Sequence, residues 1–305
     1  MTTTRISPLG PFSLECAARF LCGFTPLRSA SRSTENALTL AFLDEVTFEP
    51  TVVDVSECGD DVLVVGRAGA RDPSRQVARI LSLDHDAKAL AQVIARDPVV
   101  AALFTKTPRF RPVCFASPYE AAIWGVLSQR TAMSVAATNR ERLARALGGS
   151  VQVDGITFDA SPRPFALLGT KTFPGISEEK LARLHAVAKA ALEGHLEVDT
   201  LRSDPQSALS SLSKIRGIGP WTAEHVLVRG AGTVDELPAS EPRVLRAIEE
   251  AYGRSALTQE DVQRIAESWR PYRTWVSVRM VTALSSAGGR APRRVERRTL
   301  LPVDA

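Results

Sequence analysis

Cysteine is scarce in this 305-residue chain, which has four widely separated residues of this type: Cys16, Cys22, Cys58 and Cys114. Zinc knuckles and iron–sulfur loops need closely spaced thiolates, so we expect neither and interpret these residues as reduced thiols of a cytoplasmic protein. Long apolar runs are missing too. None approaches the roughly 20 residues that a membrane-spanning helix requires, so we expect no membrane partner. The first residues lack a basic region followed by an apolar run, and we expect no secretory signal.

Aromatic residues are also few, at 6% of the chain, whereas apolar residues make up 44% and charged residues 24%. These proportions are typical of a globular protein, and the length is enough for two or three packed units. The net charge of +4 suits a polyanionic partner without requiring one. Residues 290–298 hold five arginines, and an arginine cluster by itself more often indicates a solvated tail than a binding site.

The first hundred residues combine strand and helix patterns. Apolar and polar side chains alternate over 37–43, 51–56 and 62–67. Gly59 and Asp60 lie between the last two of these segments and are typical of a hairpin turn. We therefore predict a small antiparallel sheet, accompanied by a short helix or buried segment over 12–24.

From about residue 74 onward the apolar period becomes helical. The predicted helices cover 74–82, 86–96, 118–147, 178–193, 205–214, 221–229, 242–252, 258–268 and 273–286. Asp204 and Thr258 precede two of them as N-caps. The predicted fold class is α+β. It has a small antiparallel sheet domain over 1–108, an all-α domain over 109–289 and a basic tail over 290–305.

The most informative segment is 212–229, LSKIRGIGPWTAEHVLVR, in which two helical patterns flank a short turn. Gly217 and Gly219 permit positive φ angles and let bare backbone approach a ligand closely. Ile218 between them can anchor the turn in the core, and Pro220 suits the first position of a helix. The unpaired N–H groups of that helix, together with the positive end of its dipole, form an anion site.

Thr222 is placed to add a hydroxyl to this anion site. The alternative is a plain corner between two helices, where glycine is common. The string L-x-x-I-x-G-I-G-P-W-T-A, however, resembles the hairpin signature of the helix-hairpin-helix DNA glycosylase superfamily. The resemblance implies that Gly217, Gly219 and Thr222 contact a DNA phosphate without reading sequence. It also implies a K⁺ or Na⁺ ion at the carbonyls of Ile215 and Ile218.

In that superfamily the hairpin leads through a loop to an aspartate at the start of the next helix. The corresponding segment here, 237–246, reads LPASEPRVLR and places Glu241 at this position, three residues after Pro238. A carboxylate there stabilises the positive charge on the sugar as the base departs. Glutamate adds one methylene, and a displacement of about 1 Å can cost on the order of 100-fold in rate. The alternatives are that Glu241 only favours the helix N-terminus, or that Asp235 or Glu236 takes the role, although both lie early for the motif.

The superfamily flips its target nucleotide into an aromatic pocket, whose ring faces attract electron-poor alkylated bases. The resemblance assigns Trp221, His225 and Tyr272 to this pocket, although each ring alone is more often a core residue. It also assigns Gln129 and Arg130 to the wedge that fills the gap left in the duplex. The alternative for these two residues is an ordinary surface pair.

The resemblance covers 113–285 by motifs, and 10–105 by order and size to the N-terminal domain of the bacterial 3-methyladenine glycosylase II type. It implies two helical subdomains with a DNA cleft between them. We expect a monomeric, monofunctional glycosylase that releases alkylated purines. Its expected partner is double-stranded DNA that contains alkylated or deaminated bases, and its expected location is the nucleoid. No cofactor or iron–sulfur cluster is expected, and the hairpin helix offers no lysine for Schiff-base chemistry. The alternatives are a damaged-DNA-binding protein that has lost catalysis and a module of a larger repair assembly.

Overall fold

The computed structural model describes residues 2–34 and 37–287. Five strands form its main sheet: β1 (Thr3–Ile6), β2 (Ser31–Ser33), β3 (Leu38–Leu43), β4 (Pro50–Cys58) and β5 (Asp61–Ala68). The sheet is antiparallel, in the order β1-β5-β4-β3-β2. The three alternating segments are its central strands, as predicted. The edge strands β1 and β2 were not predicted, because four and three residues are too few for alternation to stand out.

Fourteen α-helices are present in the described part of the chain. They are α1 (Leu14–Cys22), α2 (Ser74–Ile80), α3 (Leu90–Arg96), α4 (Pro98–Phe104), α5 (Pro118–Ser128), α6 (Met133–Ala146), α7 (Pro164–Leu168), α8 (Glu178–Leu192), α9 (Val198–Ser203), α10 (Pro205–Leu212), α11 (Pro220–His225), α12 (Pro242–Tyr252), α13 (Gln259–Glu267) and α14 (Arg273–Ala287). None of these helices is long and apolar enough to cross a membrane.

Two features between residues 118 and 159 differ from the prediction. The helix predicted over 118–147 is two helices, because Arg130 lies between them with φ 50°, in the left-handed region that ends a helix. The chain then forms a hairpin that was not predicted, with β6 (Ser150–Val153) paired to β7 (Ile156–Asp159). The predicted caps are present, since Asp204 accepts from the Ser207 amide and Thr258 forms a capping box.

Two hydrophobic clusters make up most of the core. The first joins the sheet to α5, α8 and the hairpin helix α11, with Val53 and Leu127 among its members. The second joins α3 and α4 to α12 and α14, with Phe104 and Trp269 among its members. Each of these two clusters contains residues from both sides of the predicted domain boundary at residue 108. That boundary stays a prediction. The predicted tail over 290–305 lies outside the described residues.

A buried carboxylate links the sheet to the helix that carries the predicted wedge. Glu120 on α5 is 1% exposed and accepts hydrogen bonds from the Leu43 amide at 2.9 Å and the Ser161 hydroxyl at 3.0 Å. The Arg140 guanidinium lies 3.9 Å away and is equally buried. Burial raises the pKa of Glu120, and Arg140 opposes this effect. Since an unpaired buried charge is strongly destabilising, these contacts hold α5 in a fixed position against the sheet.

Candidate functional site

The predicted hairpin is the turn between α10 and α11. Gly217 adopts φ +92°, and a Cβ there would lie 2.7 Å from Arg183 side-chain carbons, so both conformation and space require glycine. Ile218 is 4% exposed and anchors the turn in the core. Gly219 is exposed, and a Cβ on it would meet nothing within 4 Å. No described side chain caps α11, so the amides of its first turn remain open to an anion.

Thr222 has a different place from the one predicted. Thr222 is 3% exposed, and its methyl carbon lies 2.6 Å from the position that a Cβ on Gly125 would occupy. The Thr222 side chain therefore lies in the packing interface between α5 and α11. The predicted anion site would therefore consist mainly of backbone N–H groups.

The helix after the hairpin packs unusually closely on α5. It continues from α11 into a π-helical segment, Val226–Ala231, a rare feature that is frequent at functional sites. A Cβ on Gly230 in this segment would lie 2.7 Å from the Pro118 Cα and 2.9 Å from the Ala121 Cβ. The backbones of the two helices thus approach to a distance that only glycine permits.

Glu241 is the N-cap of α12, and its carboxylate is fully engaged. Oε1 accepts from the Arg243 amide at 3.0 Å and the Arg243 Nε at 2.9 Å. Oε2 accepts from the Arg243 Nη2 at 3.0 Å and the Trp221 Nε1 at 2.9 Å. Burial by itself would raise the pKa of Glu241, but the hydrogen bonds and charge of Arg243, helped by Trp221, lower it to about 2. The carboxylate is therefore ionised at neutral pH.

Trp221 also connects this carboxylate to three packed aromatic rings, Trp221, His225 and Phe115, here called the aromatic wall. Its ring stacks on His225 at a centroid distance of 5.1 Å and an interplanar angle of 11°, and Phe115 packs edge-on against His225 at 5.2 Å. Burial, followed by the charge of Arg229, lowers the pKa of His225 to about 3. The imidazole is therefore neutral at pH 7. The structure brings Trp221 and His225 together with Glu241.

Tyr272 lies elsewhere. It is 4% exposed, its hydroxyl donates to the Asp86 carbonyl at 2.6 Å, and its ring packs on Trp275 at 5.3 Å. Among the described residues no ring contact joins it to Trp221 or His225. The structure therefore makes Tyr272 a core residue of the second cluster rather than a wall of the pocket.

The two alternative carboxylates on the loop before α12 have other contacts. Asp235 accepts from the Arg270 Nη1 at 2.8 Å and the Arg273 Nε at 3.0 Å, and so fastens the loop to the start of α14. Glu236 is partly buried, which raises the pKa of its carboxyl. Neither of these carboxylates accepts a hydrogen bond from Trp221, so Glu241 is the carboxylate that is joined to the aromatic wall.

The predicted wedge lies in the turn between α5 and α6, and its two residues differ in role. The Gln129 Nε2 donates to the Gly217 carbonyl at 2.7 Å, and its Oε1 accepts from the Arg183 Nη1 at 2.8 Å. Gln129 therefore ties the turn to the hairpin. Arg130 is exposed at the tip of the turn and makes no such contact with the hairpin, so the predicted wedge role stays with Arg130 as a prediction.

Lys180 on α8 completes the support of this turn. Its Nζ donates to the carbonyls of Leu127 and Gln129, both at 3.0 Å, and to the Thr131 hydroxyl at 2.6 Å. These contacts of Lys180 were not predicted from the sequence. No cluster of three or more histidine, cysteine or acidic side chains suited to a metal occurs in residues 2–34 and 37–287.

Comparison with known proteins agrees with this arrangement, although no family model matches the chain. A Mycobacterium tuberculosis protein named "Probable bifunctional transcriptional activator/DNA repair enzyme AlkA" is 33% identical over 224 residues, covering 68% of this chain and 41% of that protein. The solved 3-methyladenine DNA glycosylase from Archaeoglobus fulgidus superposes with a TM-score of 0.76 at 20% identity, covering 92% of this chain and 97% of that one. These relatives and this fold support the superfamily that the hairpin resembles, the helix-hairpin-helix DNA glycosylases.

Further matches agree with this assignment. The "DNA-3-methyladenine glycosylase" of Bacillus subtilis is 23% identical over 202 residues, covering 64% of this chain and 66% of that protein. A solved structure described as MBOgg1 with a low-affinity DNA ligand superposes with a TM-score of 0.73 at 18% identity, over 94% of this chain and 97% of that one. The likeness to solved structures shows the fold, and this chain spans about two fifths of the mycobacterial relative.

Proposed function

We propose that this chain is a monofunctional DNA glycosylase that flips out alkylated purines of the 3-methyladenine type and releases them by hydrolysis. The observation that carries the proposal is the ionised carboxylate of Glu241, hydrogen-bonded at 2.9 Å to a ring of the aromatic wall. The names of the mycobacterial and Bacillus subtilis relatives support the same activity.

The chemistry follows from the ionisation states of the site. Cleavage of the bond between sugar and base develops positive charge on the sugar, which an anionic carboxylate stabilises. Because the pKa of Glu241 is about 2, this group acts as a fixed charge and not as a proton donor. The flipped base stacks against Trp221. His225 behind it is neutral, since its pKa is about 3, so this wall does not repel a cationic base.

Double-stranded DNA is the proposed partner, bound by a monomer. Superposable structures described as complexes with DNA support this partner, among them the Schizosaccharomyces pombe Mag1 complex with abasic DNA. The open amides at the start of α11 would hold a phosphate, and Arg130 would fill the gap left by the flipped nucleotide. The carbonyls of Ile215 and Ile218 would hold the proposed K⁺ or Na⁺ ion. The Ile215 carbonyl already accepts the Ile218 N–H at 2.9 Å but keeps a second lone pair. Such an ion would add positive charge beside the phosphate.

A second candidate function is the binding of damaged DNA without cleavage. Glutamate in place of the superfamily's aspartate favours it, and so does the fact that both carboxylate oxygens of Glu241 are already occupied. The two candidates share the fold and the DNA surface, and they differ only in the release of base.

Release of free base, measured by mass, separates these candidates on duplexes that carry 3-methyladenine, 7-methylguanine or hypoxanthine. A carboxylate about 4 Å from the sugar cation contributes about 4 kcal/mol at an effective dielectric constant of about 20. We therefore expect Glu241→Gln to lower base release about 1000-fold with DNA binding retained. Glu241→Asp should keep or raise activity.

Glu236→Gln is the matched control, because it neutralises a partly buried carboxylate on the same loop that accepts no hydrogen bond from Trp221. We expect it to retain activity. Full activity in Glu241→Gln would refute the assigned role. A wild-type protein that binds these duplexes but releases no base would support the second candidate, and recovery in Glu241→Asp would assign the loss to the extra methylene.

A further inference from the structure

The carboxylate of Glu241 has no free position for a substrate in the structure described above. A carboxylate offers about four lone-pair sites. Two donors of Arg243 approach Oε1, and Arg243 Nη2 and Trp221 Nε1 approach Oε2. All four sites are therefore taken, and three of them by a single residue.

Arg243 also cancels the charge that the proposed reaction needs. Its guanidinium lies at hydrogen-bond distance from both oxygens, so the pair is neutral as a unit. A sugar cation formed beside it would be attracted by the carboxylate and repelled by the guanidinium at similar range. The observed arrangement therefore suits a resting state, and the reaction requires Arg243 to move away.

The surroundings of Arg243 permit this movement. Its side chain is 58% exposed, whereas that of Glu241 is 16% exposed. Because more than half of this side chain already meets water, the guanidinium remains solvated when it leaves the carboxylate. Trp221, which shares the carboxylate with Arg243, follows Gly219 of the hairpin by two residues, so the predicted phosphate site is close. A guanidinium binds phosphate with the same two-pronged geometry that it uses for carboxylate.

We propose that Arg243 is a latch on Glu241 that DNA opens. It covers the carboxylate in the free protein and transfers to a backbone phosphate when the duplex binds. This inference rests on the proposed glycosylase function. Arg243 is a positioning residue in this scheme: it ties exposure of the reactive charge to the presence of DNA.

The salt dependence of binding to an undamaged duplex tests the transfer without any need for activity. Each phosphate contact contributes about 0.9 to the slope of log K against log salt concentration. We expect Arg243→Gln to lower this slope by about 0.9 and Arg243→Lys to preserve it. Arg246→Gln is the matched control. It removes an exposed arginine one turn further along α12 that takes no part in the contacts of Glu241, and it should change the slope less.

Single-turnover base release gives the second readout. We expect Arg243→Gln to lower the rate several-fold at the DNA concentration that half-saturates the wild type, with the loss shrinking as DNA approaches saturation. A fall of more than about tenfold at saturation would overturn the proposal, since Arg243 would then orient Glu241 during the reaction. Equal salt slopes in the wild type and Arg243→Gln, or an equal loss in Arg246→Gln, would also overturn it. A wild-type protein without base release would refute the proposed function but leave the salt-slope test of the transfer intact.

Discussion

The partly buried ring of His225 makes the folded protein less stable in acid, and one substitution should remove this effect. Burial, and secondarily the charges of Arg229 and Arg243, lower the pKa of His225 to about 3, against an opposing effect of Glu241. In the unfolded chain the same group titrates near 6.5. Between these values the unfolded chain holds a proton that the folded chain lacks, so the free energy of unfolding decreases as the pH falls.

The size of the effect follows from the same values. The slope is about 0.7 kcal/mol per pH unit at pH 6.5 and approaches about 1.4 below it, so the loss between pH 6.5 and 4.5 is about 2.3 kcal/mol. For a protein of this size such a loss lowers the melting temperature by on the order of 5 °C. The depressed pKa of Glu241 acts in a different window. The stability that it contributes is present above about pH 4.5 and is lost only as the pH falls towards 2.

His225→Phe is the variant that tests this reasoning. Its ring keeps the aromatic neighbours Trp221 and Phe115 at 5.1 and 5.2 Å. The buried Nε2 has no hydrogen-bond partner to lose among the described residues. Thermal unfolding followed by circular dichroism from pH 7.5 to 4.5 should show the wild type losing stability faster than the variant.

A control and a refuting result follow from the same scans. His195→Gln replaces an exposed histidine and should follow the wild type through the whole range. If the wild-type and His225→Phe curves run parallel between pH 6.5 and 4.5, the ring is protonated in the folded protein. The proposed neutral pocket wall would then be wrong.

Two further predictions concern glycines. Gly219→Asp has open space around its new side chain, so we expect the fold to be retained. The affinity for undamaged duplex, measured by fluorescence anisotropy, should fall about tenfold because the new charge repels the phosphate. An unchanged affinity would show that the hairpin does not contact DNA. Gly230→Ala places a Cβ 2.7 Å from the Pro118 Cα, so overpacking should lower the free energy of unfolding in urea by about 1–3 kcal/mol. A loss below about 0.5 kcal/mol would show that α5 and the π-helical segment separate easily.

The sequence by itself determined the features that depend on neighbours along the chain. Alternation over 37–43 predicted β3, and the cap at Thr258 predicted the start of α13, because side-chain period and capping are properties of a few consecutive residues. The hairpin around Gly217 was predicted for the same reason. Positive φ at a glycine before a helix is a local requirement.

The tertiary structure decided what each side chain faces. The hydrogen bond from Gln129 to Gly217 spans 88 positions, and that from Tyr272 to Asp86 spans 186. No local pattern distinguishes an aromatic ring in a pocket from one in a core, so Tyr272 and Trp221 were assigned alike and lie apart. The position of Glu241 followed from a motif, but its low pKa comes from the side chains that folding places around it, and Trp221 is 20 positions away. Charge and burial at a site are sums over neighbours in space, and only the fold specifies those neighbours.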